Sequence, residues 1–72
     1  MKIDDSHIPD LMTAAEVCAI TGLAISTLHD YAVRREAGLP PQGPPHVRLG
    51  PRRRRWMRSD VIDWLQASRI AG

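Results

Sequence analysis

The sequence predicts a mainly α-helical domain with a small β-hairpin, and three observations lead to this prediction. Two helical stretches are separated by one tight turn at Gly22, which is typical of a helix-turn-helix. A tract rich in proline and glycine, 38–45, cannot be helical and separates these helices from the rest. Two strand-like runs then flank Gly50-Pro51, and a last helical stripe follows them.

The first helix has a clear start signal. Thr13 and Glu16 have the spacing of a capping box, in which each side chain accepts a hydrogen bond from the other residue's backbone. The helix is expected to run from there to about Thr21. Its apolar side consists of Val17, Cys18 and Ile20, with Leu11 or Met12 before the cap. We interpret Cys18 as a small core residue rather than a nucleophile, because no acid–base partner stands beside it.

The second helix is expected from near Ala24 to about Ala37. Leu28, Tyr31, Ala32 and Arg35 recur at helical spacing and form one face. Ser26, His29, Asp30, Val33 and Arg34 point away from that face. The N-terminal end of this helix carries Ser26 and Thr27, and in helix-turn-helix motifs that end enters a major groove.

The hairpin is rich in arginine. A turn at residues 50–53 would place Val47 opposite Trp56 and Arg48 opposite Arg55, with Leu49 facing Arg54. Val47, Leu49 and Trp56 would then share one face. Directly opposed like charges destabilise a hairpin, so a fold that keeps them is expected to use them on a polyanion such as phosphate. The alternative is a solvated charge run, but six arginines lie between residues 48 and 58 without an acid.

The remaining segments are predicted from local signals. The tract 38–45 is interpreted as a stiff, extended connector, with a proline-rich docking peptide as the weaker alternative. Ser59 is the expected N-cap of the last helix, and Asp60 suits its positive end. The apolar stripe of this helix is Val61, Trp64, Leu65 and Ser68. Both indoles, Trp56 and Trp64, are expected to anchor the core rather than stack on bases.

Composition limits the class of protein. The 72 residues suffice for one small domain, here 11–72, preceded by a flexible arm, 1–10. The single cysteine excludes an internal disulfide framework, and no apolar run could span a membrane, so a cytoplasmic protein is expected. Residues 1–36 hold six acids and three bases, whereas residues 37–72 hold two acids and seven bases. Such halves could attract each other between copies of the chain.

The predicted order is helix-turn-helix, Pro-rich linker, two-stranded wing and C-terminal helix, which is a winged helix-turn-helix. The run 11–23 resembles the first helix and turn of MerR-like winged-helix domains. The segment 26–31 is similar to their recognition helix, and 47–50 with 52–56 and 58–65 is similar to their wing and final helix. Two residues depart from the pattern: Ala24 stands where the family usually has a capping Ser, and Ile25 where a polar residue often follows.

The small stand-alone members of that group are phage excisionases, or recombination directionality factors, and short prophage regulators. The resemblance implies a protein that binds repeated sites in double-stranded DNA and bends them. It would help a phage integrase to reverse integration and would itself break no bond. A small prophage transcriptional regulator with the same fold is the nearest alternative, and a protein-interaction module with an acidic partner is another.

The predicted DNA-binding residues fall into three groups. On the second helix, a major groove would be met by Ser26, Thr27, His29 and Arg34. On the wing, an adjacent minor groove or its phosphates would be met by Arg52, Arg53, Arg54 and Arg55. Two further arginines, Arg48 and Arg58, would clamp the DNA backbone. Since one such module can specify only a few base pairs, cooperative self-association on DNA is also expected.

An enzyme is the least supported class. His7, His29 and His46 show no metal-ligand spacing with Cys18. No nucleophile–base–acid set or carboxylate pair is evident, and the neighbours His29 and Asp30 would not face each other on a helix. The sequence therefore predicts no catalytic residue, no metal and no cofactor.

Overall fold

Within residues 10–40 and 42–69, which the computed structural model describes, the chain forms a small α+β domain of three helices and a three-stranded antiparallel sheet. The elements in chain order are β1 (Leu11–Met12), α1 (Ala14–Thr21), α2 (Ile25–Glu36), β2 (Val47–Gly50), β3 (Arg53–Met57) and α3 (Arg58–Ala67). The strand order is β1-β3-β2. This layout is compatible with a helix-turn-helix followed by a wing. The predicted arm, 1–10, lies outside the described residues except for Asp10.

The start and end of α1 confirm the local signals. The Thr13 hydroxyl accepts from the Glu16 N–H at 3.3 Å, and a Glu16 carboxylate oxygen accepts from the Thr13 N–H at 2.9 Å. At the other end Gly22 has a φ of 78°, and its N–H donates to the Cys18 carbonyl. A left-handed residue is favourable only as glycine, which explains the sharp turn into α2.

The position of α2 is also confirmed to within a residue at each end. Leu28 and Ala32 are buried, while Tyr31 and Arg35 are partly buried, so the predicted inward face is correct. The N-cap residue is Ala24, and no side chain provides a capping hydrogen bond. This helix therefore depends on packing more than on its own start signal.

The strand β1 was not predicted, so the expected two-stranded sheet is in fact three-stranded. Leu11 pairs with Met57, and Met12 pairs with Trp56 in the centre of the sheet. Two residues are too few to show the alternation by which a strand is recognised in a sequence. The pairing covers the edge of β3 that β2 leaves open.

The predicted hairpin register is wrong by one residue. The observed pairs are Val47 with Arg55, Arg48 with Arg54 and Gly50 with Arg53. An irregularity between Arg48 and Gly50 leaves Leu49 as the extra residue of a β-bulge. Alternation along β3 places Arg54 on the face of Trp56 and Arg55 on the other face in either register, and the slip instead moves Arg48 to the face of Arg54.

The predicted start of α3 is wrong by two residues. The helix begins at Arg58 with Met57 as N-cap and without a side-chain cap, rather than at a Ser59 cap. Met57 is held extended by its pairing with Leu11, and the Arg58 N–H donates to the Asp10 carbonyl at 2.7 Å. The carbonyl of the residue before β1 thus accepts from one of the first N–H groups of α3, which have no partner within the helix.

The core draws one or two residues from every element except β2. Its buried members are Met12, Val17, Leu28, Ala32, Trp56 and Val61. Trp56 is only 1% exposed, which confirms it as an anchor. Cys18 packs against this cluster, as expected of a small core residue. Trp64 is only partly buried, and its indole N–H donates to the Gln42 carbonyl at 3.0 Å, so it anchors the connector rather than the core.

The connector is fastened to α2 rather than standing off as a free spacer. Gly43 and Pro44 are buried, and the Arg35 guanidinium donates to the Gly43 carbonyl at 2.7 Å. A Cβ atom on Gly43 would lie 2.6 Å from Cδ2 of Tyr31, so the backbone touches that ring directly. This contact sets where the chain enters β2.

Candidate nucleic-acid interface

The outward face of α2 carries part of the predicted groove-reading set. Ser26, Asp30 and Arg34 are exposed, and Thr27 is partly buried at the side of this face. Ser26 and Asp30 are four residues apart, as are Asp30 and Arg34, so the three form one row along the helix. The row presents a hydroxyl, a carboxylate and a guanidinium to solvent.

Asp30 was predicted to lie on this side of the helix but was left out of the predicted DNA-binding set. Its carboxylate lies 3.5 Å from the Arg34 guanidinium, and both side chains are well exposed. An exposed pair of this kind contributes little stability and can re-form with other partners. The i, i+4 spacing of the two residues was a visible signal, and among DNA bases the amino group of cytosine suits a carboxylate acceptor.

His29 lies at the side of α2 rather than at the centre of its outward face. It is partly buried, and its ring meets Trp56 edge-on with centroids 6.4 Å apart. The contact directs this histidine towards the sheet. His29 therefore joins the helix to the wing, and only its exposed part could meet a ligand.

The hairpin keeps most of its arginines on the surface. Arg52 lies in the turn and Arg53 begins β3, and both are exposed; so are Arg48 on β2 and Arg58 at the start of α3. Arg55 is partly buried and donates to the carbonyl of Arg54 at 2.8 Å.

Arg54 does not belong with its neighbours at the tip. Its Nε donates to Oε2 of Glu36 at 2.8 Å, and its Nη2 donates to Oε1 at 3.0 Å. Only 16% of the Arg54 side chain is exposed. The expectation that all four consecutive arginines project from the wing is therefore corrected for Arg54, which turns inward because it shares the face of Trp56.

Glu36, the last residue of α2, has a second partner. The His46 ring nitrogen Nε2 lies 2.7 Å from Glu36 Oε2, and the His46 side chain is only 4% exposed. Hydrogen bonds from Arg54 and then His46 lower the pKa of Glu36 from 4.5 to about 2. The carboxylate is therefore ionised across the physiological range, and it offsets the repulsion between the opposed Arg48 and Arg54.

A second carboxylate, that of Glu16 in the first turn of α1, also lies near these arginines. The pKa of Glu16 is lowered, first by its hydrogen bonds with Thr13 and then by the charges of Arg58 and Arg55. The acids of the N-terminal half thus approach the arginines of the C-terminal half within one chain. Neither Glu16 nor Glu36 was recognised as a partner of the wing, because these contacts join residues far apart in sequence.

Among residues 10–40 and 42–69, no group of three or more histidine, cysteine or acidic side chains is arranged to hold a metal ion. Within the same residues, no helix has both the length and the apolar character needed to cross a bilayer.

No protein-family model, curated protein or solved structure matches this chain. The likeness to MerR-like winged-helix domains therefore stays a prediction from the sequence.

Proposed function

We propose that this protein binds double-stranded DNA as a winged helix-turn-helix, with α2 in a major groove and the β2–β3 hairpin as its wing. The observation that supports this most is the attachment of an arginine-rich hairpin to the side of a helix whose other face is exposed. Trp56 and Arg54 of β3 contact His29 and Glu36 of α2. Two cationic or polar elements presented together suit adjacent grooves of a duplex.

The proposed contacts differ from the predicted set at three residues: Arg54 and His29 are left out, and Asp30 is added. Arg52, Arg53 and Arg55 serve the wing, while Arg54 is assigned to the protein's interior contact with Glu36. On the helix, Asp30 joins Ser26, Thr27 and Arg34. Arg48 and Arg58 are exposed and contact the DNA backbone.

The experiment is a titration of duplex DNA at several salt concentrations. Each phosphate neutralised adds about −0.9 to the slope of log affinity against log salt. Arg52→Ala and Arg53→Ala are expected to weaken all DNA sequences alike and to reduce the slope by about 0.9 each if each residue meets one phosphate. An affinity that hardly changes between low and moderate salt would contradict the wing assignment.

Sequence reading is tested separately. Ser26→Ala and Thr27→Ala are expected to weaken the cognate site more than random DNA, because side chains that read bases carry specificity and phosphate contacts do not. An equal loss on both kinds of DNA would exclude these two residues from base recognition.

The role we propose for DNA binding is that of an excisionase, which bends an attachment region and assists a phage integrase in excision. This role rests on the resemblance of 11–67 to MerR-like domains. Footprinting on the DNA that flanks the gene, followed by a recombination assay with the integrase, tests it. Protected direct repeats beside a recombination core support an excisionase, whereas protection of a promoter without any effect on excision supports a transcriptional regulator.

A further inference from the structure

We propose that the Glu36 cluster, which is Glu36 with Arg54 and His46, sets the angle between α2 and the wing, and that Arg54 is a positioning residue rather than a DNA contact. This inference rests on the proposed function and deepens it. The three residues come from the end of α2, from β3 and from the residue before β2. One carboxylate therefore joins the helix to both strands of the hairpin.

The contact between helix and wing has two points, which is what an angle requires. His29 and Glu36 are seven residues apart on α2, so they lie on the same side of the helix. Trp56 and Arg54 are two residues apart on β3, so they lie on the same face of the strand. His29 meets Trp56, and Glu36 meets Arg54. A single contact would allow the wing to pivot, whereas two contacts along the helix prevent this.

His46 closes the cluster from the other strand. The pairing of Val47 with Arg55 places His46 opposite Trp56, and the two rings have centroids 6.1 Å apart. Because an ionised carboxylate only accepts, the His46 Nε2 donates to Glu36. The other ring nitrogen, Nδ1, is buried and has no hydrogen-bond partner among the described residues. The ring is therefore held by Glu36 and by Trp56.

The placement of Glu36 is unfavourable for the helix alone. An acidic side chain at a helix C-terminus meets the negative end of the helix dipole. Arg34 and Arg35 are basic residues in the same last turn, which is the favourable arrangement. Glu36 is therefore placed for its contacts with Arg54 and His46 and not for the stability of α2.

The Glu36→Gln variant separates positioning from simple electrostatics. Removing one negative charge from a DNA-binding protein should strengthen binding if only the net charge matters. Loss of the Arg54 contact should instead weaken it. The matched control is Asp63→Asn, which removes the same charge from an exposed site on α3. We expect Glu36→Gln to weaken duplex binding about tenfold, the size of coupling usual for contacting side chains, while Asp63→Asn binds as the wild type or more tightly.

The salt slope of Arg54→Ala, compared with that of Glu36→Gln, distinguishes a phosphate contact from a positioning residue. A lost phosphate contact lowers the slope by about 0.9 in Arg54→Ala alone, whereas loss of the shared contact changes the slopes of Arg54→Ala and Glu36→Gln alike. The double variant Glu36→Gln with Arg54→Ala should bind about as weakly as either single variant, because both remove the same contact. Arg54→Lys keeps the charge but not the fork, and we expect it to weaken binding less while the domain stays folded by circular dichroism.

The outcomes are distinct. If the wild type retains duplex DNA but Glu36→Gln binds as tightly as Asp63→Asn, or if Arg54→Ala lowers the salt slope by about 0.9 more than Glu36→Gln does, the positioning role is overturned and the proposed function stands. If the wild type retains no duplex DNA at any salt concentration, the proposed function fails, and the positioning role fails with it. Weaker binding by Glu36→Gln, with the same salt slope for Arg54→Ala and Glu36→Gln, supports the inference.

Discussion

At the scale of single residues, Arg54 shows that consecutive arginines can have different surroundings. Four consecutive arginines are chemically alike in the sequence, yet β-strand alternation gives them different faces. Arg54 lies inward with Trp56 and pairs with Glu36, while Arg53 and Arg55 lie on the other side of β3. Identical side chains therefore acquire different surroundings from their positions along the strand.

Glu36 makes stability depend on pH in a defined direction. Its pKa is lowered from 4.5 to about 2 by hydrogen bonds from Arg54 and His46. The stabilising contribution is therefore complete above the unfolded pKa of 4.5 and is lost as the pH falls towards about 2. We expect the difference in urea midpoint between the wild type and Glu36→Gln to shrink over that range. A difference that stays constant down to the lowest pH would contradict the ion pair.

Gly43 is predicted to tolerate no side chain. A Cβ atom there would lie 2.6 Å from Cδ2 and 2.9 Å from Cβ of Tyr31, and the ring belongs to a packed part of α2. Gly43→Ala is therefore expected to lower the free energy of unfolding by about 1–3 kcal/mol, as overpacking usually does. Gly50→Ala is the control, because its nearest neighbour would be 4.0 Å away. Urea denaturation of both variants checks the difference.

At the scale of elements, α2 begins less favourably than α1. Thr13 and Glu16 cap α1 with two hydrogen bonds, while Ala24 offers no side-chain acceptor to α2. The backbone of Ala24, with φ −73° and ψ 149°, already has the extended conformation of an N-cap. The deficiency therefore lies in the side chain alone.

Ala24→Ser is expected to stabilise the protein. A serine hydroxyl at this position would accept from an N–H of the first turn of α2, and such caps contribute about 0.5–2 kcal/mol relative to alanine. The midpoint of urea unfolding should rise, with Thr13→Ala as the opposite control, which should lower it. An unchanged midpoint for Ala24→Ser would show that packing leaves the first turn of α2 no gain from a cap.

The sheet is the element in which prediction and structure differ most. β1 has two residues, and the bulge at Leu49 shifts the pairing of β2 with β3 by one residue. Together they bring Met12 and Arg48 opposite Trp56 and Arg54. The inner face of the sheet thus extends from the buried pair of Met12 and Trp56 to Arg54, which is paired with Glu36.

At the scale of the whole molecule, the small size of the domain limits the DNA interface that one copy could form. A single domain of this size makes a modest interface with DNA and reads few base pairs. The acidic first half and the basic second half also offer opposite charges to a neighbouring copy. We therefore expect several copies to bind side by side.

Cooperative assembly is measurable on a DNA fragment with several sites. The binding curve should have a Hill slope above that of a single site. Inserting about half a helical turn, ~5 base pairs, between sites should remove the cooperativity, because neighbours would then lie on opposite sides of the duplex. A full-turn insertion is the control for distance alone. A curve with unit slope on the original fragment would contradict assembly between copies.

The features that depend on neighbouring residues could be predicted from the sequence. The capping box at Thr13, the left-handed turn at Gly22 and the inward face of α2 all followed from side chains within one or two helical turns. The arginine-rich hairpin and the anchor Trp56 could be located in the same way. Steric and hydrogen-bonding preferences over such short distances are nearly independent of the rest of the fold.

Three features depend on the tertiary structure: the pairing of β1 with β3, the register of the wing and the partner of Arg54. Glu36 and Arg54 are 18 residues apart, and their meeting depends on a bulge, on strand alternation and on the connector held against Tyr31. A one-residue change in pairing exchanges inner and outer side chains, and local preference is almost the same for both registers. The face of Arg54 thus followed from alternation along β3, but packing across the whole domain decided that this face of the hairpin turns towards Glu36.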